Sequence, residues 1–238
     1  MRATLLGIPA SHPTLAGQLM LEHKGVDYRR IDFPAGMQRL ILGALGFPGK
    51  TVPAIRIDGA RLQGTTEIAL ALDALLPERP LFPDDAERRR EVVEADAWGN
   101  EVLQPVPRRL VWNGVVRDRS ELRTYLEGAR LGIPVPVAAR VAPPIAKLAR
   151  RLNHATDESV ERDLAALPGM IDRVDELIER DVIGGTERNA ADYQIATSIS
   201  LLLTMDDVRP MFTGRPAERL ARDVVKHQPG HLPRVFAR

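Results

Sequence analysis

Three short stretches within the first 70 residues hold the side chains that could do chemistry: Ser11-His12-Pro13-Thr14, Lys50-Thr51-Val52-Pro53 and Thr65-Thr66. Ser11 stands just ahead of a helical pattern and has no base beside it, so its hydroxyl is suited to capping the helix or donating to an anion rather than to attacking as a nucleophile. His12 reads as a general base or, next to Pro13, as a structural ring, and Thr14 is a fallback hydroxyl. Thr65 and Thr66 precede Ile68, Leu72, Leu75 and Leu76, which recur at helical offsets. The amides at such a helix start are unpaired and lie at its positive end, where an anion is favoured and a threonine can cap. The chain has no cysteine, which removes disulfides, zinc-thiolate sites, iron-sulfur clusters and any protein thiol nucleophile. Chemistry must then come from oxygen, nitrogen or an added small molecule, and no metal is expected.

The elements that must position these residues are legible in the spacing of apolar side chains. Residues 3–8 form an apolar run ending at Pro9, the mark of a buried strand, and residues 13–24 change to helical spacing through Leu15, Leu19 and Met20 before Gly25. Residues 26–33 read as a second strand, parallel to the first if the crossover is right-handed. A short, irregular helix is expected among Gly36, Gly43 and Gly46. Two alternating runs across Asp58-Gly59 predict an antiparallel hairpin, because a two-residue turn needs the positive φ values that Asp and Gly tolerate. With the helix after Thr65 the order is β-α-β-α-β-β-α. A Pro-rich, acidic stretch follows, and then helical runs at roughly 84–116, 120–131, 141–152, 157–180, 190–205 and 217–226, with Pro134, Pro136, Pro143 and Pro144 breaking the middle. Asn189 and Asp192 have the spacing of a capping box.

Charge excludes some functions. With 33 basic and 32 acidic side chains there is no basic footprint for nucleic acid, and Arg88-Arg89-Arg90 is offset by Glu87, Glu91 and Glu94 on a solvent-facing helix. The longest uncharged stretch, 194–205, is too short for a membrane span, and the first residues lack a signal-peptide pattern. A cytoplasmic protein is expected.

The order of elements, about 80 residues of β-α-β-α-β-β-α and then about 150 of helix, resembles the glutathione S-transferase superfamily over nearly the whole chain. Four segments carry the likeness: Ser11-His-Pro-Thr14 leading to His23-Lys-Gly-Val-Asp-Tyr28; Phe47-Pro-Gly-Lys-Thr-Val52-Pro53-Ala-Ile55; Leu62-Gln-Gly-Thr65-Thr-Glu-Ile68; and Gly185-Thr-Glu-Arg-Asn189-Ala-Ala-Asp192. The resemblance implies an α/β plus all-α fold. Its parts are a thioredoxin-like glutathione-binding domain (1–78), a linker (79–85) and an all-helical C-terminal domain (86–238), in a homodimer. It places Ser11 at the catalytic hydroxyl of serine-type members. It implies a cis Val52-Pro53 bond that frees the Val52 amide and carbonyl to pair with the tripeptide, and a γ-glutamyl carboxylate at Thr65 and Thr66. Lys50 and Thr51 would meet a terminal carboxylate, and Val102, Pro105, Arg109 and Trp112 would line the pocket of a second substrate, a small electrophile. Phe47, Lys50 and Gly64 depart from the family's usual Asn, Gly and acidic or Gln residues. The expected act is activation of the glutathione thiol for addition to an electrophile, with glutathione-dependent lyase or isomerase use also open. Disulfide reduction by a protein thiol is excluded. Two alternatives stand beside it: a binding or protein-interaction member without turnover, and use of another low-molecular-weight thiol, which 29 Arg against 4 Lys, a GC-rich signature, would fit.

Overall fold

The computed structural model describes residues 2–49 and 51–236. An apolar run makes the first strand, β1 (Arg2–Gly7), and α1 (His12–His23) carries the chain over to β2 (Asp27–Asp32). β2 pairs parallel to β1, from Arg2 opposite Asp27 to Gly7 opposite Asp32, as a right-handed crossover produces. After α2 (Gln38–Ala44) come β3 (Ala54–Ile57) and β4 (Ala60–Gln63), joined by Asp58 and Gly59 at φ 45° and 90°. β3 runs antiparallel to β1, so the sheet order is β2-β1-β3-β4. α3 (Thr65–Leu75) is capped not by a threonine but by Gly64, at φ 93°, and both threonines lie inside the helix.

One buried ammonium fixes the far end of this half. Lys24, at the end of α1, pairs with Asp73 at 2.6 Å and donates to the carbonyls of Leu76 (2.7 Å) and Glu78 (3.2 Å), satisfying acceptors where α3 ends. Asp73 in turn accepts from the amides of Leu81 (2.8 Å) and Phe82 (2.9 Å), which turns the chain toward the helices.

Those helices are α4 (Ala86–Trp98), α5 (Pro105–Arg117), α6 (Val135–Leu152), α7 (Asp157–Glu179), α8 (Ala190–Leu202) and α9 (Pro216–Val224). The single helix expected over 84–116 is interrupted. Pro105 and Pro107 have no amide to donate, and a π turn over Gly99–Leu103 absorbs the mismatch, closed by the Gln104 amide on the Gly99 carbonyl at 2.8 Å. Gly99 is needed there, since a Cβ would stand 3.0 Å from Ile195 and 3.1 Å from Gln194 on α8. The helix expected over 120–131 is a single 3₁₀ turn, Leu122–Leu126. The prolines expected to break the middle do not: Pro134 caps α6, Pro136 lies in its first turn, and the helix runs on through Pro143 and Pro144. Its stripe of Ala138, Ala142, Ala146 and Ala149 is buried, with α5 packed against the helix, and such tertiary burial overrides a local breaking preference. Among the described residues no helix is long and apolar enough to cross a membrane.

The main core is continuous across both halves, joining Leu5, Met20, Ile55 and Ile68 to Leu103, Leu110, Ile195 and Ile199. A smaller cluster of Leu6, Phe33, Leu42, Phe47 and Ala54 lies beneath α2. Every residue of α8 is buried, so water does not reach the amides of its first turn. The capping box supplies them: Asn189 Oδ1 accepts from the Asp192 amide (3.2 Å) and Asp192 Oδ2 accepts from the Asn189 amide (2.9 Å), while Asp192 Oδ1 takes the Gly184 amide (2.7 Å). Replacement Asn189→Ala is expected to lower the unfolding free energy by about 1 kcal/mol. Asp192→Ala, which removes the acceptor of the Gly184 and Asn189 amides together, should cost more, about 2 kcal/mol. Urea denaturation of the two variants checks both the values and their order.

Candidate functional site

A cavity of about 190 Å³ opens where the loop after β1, the chain leading into β3, and the inner faces of α5 and α6 meet. Ser11, His12, Thr51, Val52, Arg108, Trp112 and Tyr125 are on its wall, which is otherwise mostly apolar.

The loop carrying Ser11 is held from several sides. Ala10 takes φ 53°, sparsely allowed for alanine, and its carbonyl accepts from Gln228 Nε2 at 3.2 Å. Ser11 is the N-cap of α1: its Oγ accepts from the Thr14 amide (3.2 Å) and from the Thr14 hydroxyl (2.9 Å). Both acceptor positions of the serine oxygen are therefore filled, and its own hydrogen is left to donate at the cavity wall. Thr14 is wholly buried beneath this serine, where a Cβ on Gly7 would stand 2.3 Å from its methyl group. Thr14 acts on Ser11 and is not itself on the wall.

His12 is buried and its Nε2 lies 3.2 Å from the Gln104 carbonyl. A carbonyl only accepts, so Nε2 carries the proton. Burial, with Arg108 beside it, lowers the ring's pKa to about 3, and the imidazole is neutral at physiological pH. The second feature of the wall is Val52, joined to Pro53 by a cis peptide bond. Among the described residues its amide and carbonyl have no partner. Gln63 steadies the approach, accepting from the Gly49 amide and donating to the Thr51 carbonyl, both at 2.7 Å. Pro53 is buried against the backbone of α1, 3.3 Å from where a Cβ of Gly17 would be, and accepts from the Gly64 amide at 3.0 Å. That bond brings the start of α3 beside the Val52-Pro53 edge.

At that helix start Thr65 is buried and its hydroxyl has no partner, whereas Thr66 donates to Asp96 Oδ2 on α4 at 2.6 Å. Asp96 is itself buried, which raises its carboxyl pKa, and its Oδ1 has no partner. Gly64 puts no side chain beside this helix start, and the space there is open. Lys50 lies outside the described residues.

Of the four residues expected around a second substrate, Trp112 lines the cavity. Val102 is exposed on the π turn, Pro105 begins α5 off the wall, and Arg109 turns away to Asp163. Arg108, Val111, Val115 and Tyr125 stand there instead. Nothing in the sequence singled them out, because which face of α5 points inward depends on the π turn. The Tyr125 phenol, bonded to Thr204 at 3.0 Å, has its pKa pushed up to about 12 by burial. Among the described residues no cluster of three or more His, Asp or Glu is arranged to hold a metal.

No family model and no curated protein matches the sequence. Solved structures do match. A glutathione S-transferase from Rhodospirillum rubrum superposes with a TM-score of 0.61 at 18% identity, over 98% of this chain and 97% of that one. A glutathione S-transferase from Methylobacterium radiotolerans, in complex with glutathione sulfonate, gives 0.57 at 14% identity, over 100% and 99%. The beta-etherase LigF from Sphingobium gives 0.59 at 17%, over 94% and 98%. At these identities the likeness establishes the fold.

The neutral, buried His12 has a consequence for stability. In the unfolded chain it titrates near its ordinary pKa of 6.5 and in the fold near 3, so between these values the unfolded state binds more protons. The stabilisation is complete above pH 6.5 and is lost as pH falls through this window. Between pH 7 and 5 this group should account for about 2 kcal/mol of lost stability. His12→Asn, which keeps a donor for the Gln104 carbonyl but cannot titrate, should show a correspondingly flatter pH dependence in thermal unfolding.

Proposed function

We propose, from the premise that this chain has the glutathione S-transferase fold, that it binds glutathione and activates its thiol for attack on a small electrophile. The observation that carries this reading is the hydroxyl of Ser11, whose oxygen is saturated by Thr14 and whose hydrogen is free at the wall shared with Val52. A serine poised this way is a donor, and a donor facing a thiol stabilises the thiolate over the thiol. A charge-assisted bond of about 1.5–3 kcal/mol lowers a thiol pKa near ~8.5 by one to two units, enough for a substantial thiolate fraction at neutral pH.

The remaining groups fit the tripeptide. Val52 offers an unpaired amide and carbonyl for strand-like pairing with its cysteine residue. The free amides at the start of α3, with the unpartnered Thr65 hydroxyl, suit the γ-glutamyl carboxylate. Thr66 contributes its amide, its hydroxyl being held by Asp96, and Lys50 would meet the terminal carboxylate. His12, neutral and pinned to Gln104, is not the base, so the thiol proton leaves to solvent. A cytoplasmic homodimer, with residues 1–78 as the glutathione-binding unit and 86–238 as the helical one, belongs to the same reading. The open space at Gly64 favours the second reading, a binding member without turnover.

The test is calorimetric binding of glutathione alongside conjugation of an aromatic halide, in the parent protein and in Ser11→Ala. The variant should keep glutathione affinity within about twofold and lose at least tenfold in rate, about 1.4 kcal/mol of transition-state stabilisation. An unchanged rate rejects the serine's role, binding without turnover in the parent supports the binding-only reading, and no binding removes glutathione from the account.

A further inference from the structure

Two adjacent arginines on α5 have opposite surroundings. Arg109 is matched within the protein: its Nε and Nη2 donate to the two carboxylate oxygens of Asp163, both at 2.6 Å. Arg108, one residue back and about 100° around the helix, is on the cavity wall with Ser11, His12 and Trp112. Among the described residues it has no ion pair, no hydrogen bond and no aromatic ring beneath it. Its recorded electrostatic neighbours are Arg109, a like charge, and the neutral His12.

The cavity offers no opposite charge to compensate. No Asp or Glu lines it, and its other titratable groups, His12 and Tyr125, are uncharged at neutral pH. Arg108 is thus the one formal charge on the described wall. Burial lowers its pKa, but a guanidinium stays protonated in proteins. Arg108 is half-buried beside Val111, Trp112, Val115 and the alanines of α6, and its guanidinium, unpaired within the protein, is open to a partner that enters the cavity. Its planar fork of donors is shaped for a carboxylate. Trp112, one turn along the same face, supplies a flat apolar surface next to it.

We propose that the cavity's second occupant is an aromatic carboxylate, its acid group paired with Arg108 and its ring lying against Trp112. This rests on the thiol-transfer reading only in calling that occupant the second substrate. Glutathione also has carboxylates, and the test separates the two sources.

Calorimetry with 2-naphthoate, its neutral amide 2-naphthamide and glutathione, each titrated into the parent protein, Arg108→Met and Arg108→Lys, decides it. The parent is expected to bind the carboxylate at least tenfold more tightly than the amide. Arg108→Met should bind both at the parent's amide affinity, Arg108→Lys should keep part of the preference, and all three should bind glutathione alike. A parent with no preference, or a preference that survives Arg108→Met, overturns the proposal. So does a tenfold loss of glutathione affinity in Arg108→Met, which would put the tripeptide's carboxylate on this arginine. If Arg108→Met does not fold, the preference in the parent and its weakening in Arg108→Lys decide the matter. A parent that prefers the carboxylate but does not bind glutathione upholds this inference and removes the transferase reading.

Discussion

A helix buried along its whole length must satisfy its first turn without water, and in this protein that constraint falls on Asn189 and Asp192. α8 packs against α1, α4, α5 and α9, so it is the surface on which the sheet half and the helical half are joined. The main core runs through it without a break. Had the two halves been joined only through the linker, their relative placement would be free, and with it the cavity that needs Ser11 from one half and α5 from the other. Lys24 and Asp73 perform a similar service at the opposite end, where one ion pair gathers the ends of α1 and α3 and the chain that leads on to α4.

The same logic of filled and unfilled partners distinguishes the structural side chains from those of the site. Thr14, Thr66, Gln63 and the Nε2 of His12 are engaged within the protein, and each holds a loop or helix start in place. The Ser11 hydrogen, the Val52 backbone, the Thr65 hydroxyl and the Arg108 guanidinium are left over. Ser11, Val52 and Arg108 share one cavity wall, and Thr65 lies beside its edge at the start of α3.

Much of the fold was legible because local chemistry dictates it. Asp58-Gly59 can make a tight hairpin turn, an apolar run between Arg2 and Pro9 is a strand, and Asn-x-x-Asp ahead of an apolar helix is a cap; all three are found in the structure. The Ser11 loop and the Val52-Pro53 pair were visible as motifs. The readings that differ depend on tertiary packing. Pro143 and Pro144 read as breakers, yet the alanine stripe around them carries α6 through. Thr65 and Thr66 look like caps, but the positive φ required before α3 falls to Gly64. Arg109 and Arg108 are indistinguishable in a sequence, because only Asp163, 54 residues further on, shows which of them is already spoken for.

The π turn at Gly99–Leu103 adds a residue to the regular α-helical spacing immediately ahead of α5. Removing one residue there would restore an uninterrupted spiral and rotate everything after it by about 100°, exchanging the inward-facing set headed by Arg108 and Trp112 for a neighbouring one. Which side chains face the chamber is therefore set partly by the length of a five-residue segment that is not itself on its wall. Two chains with identical α5 sequences would present different side chains to the chamber if they differed by a single insertion at this point.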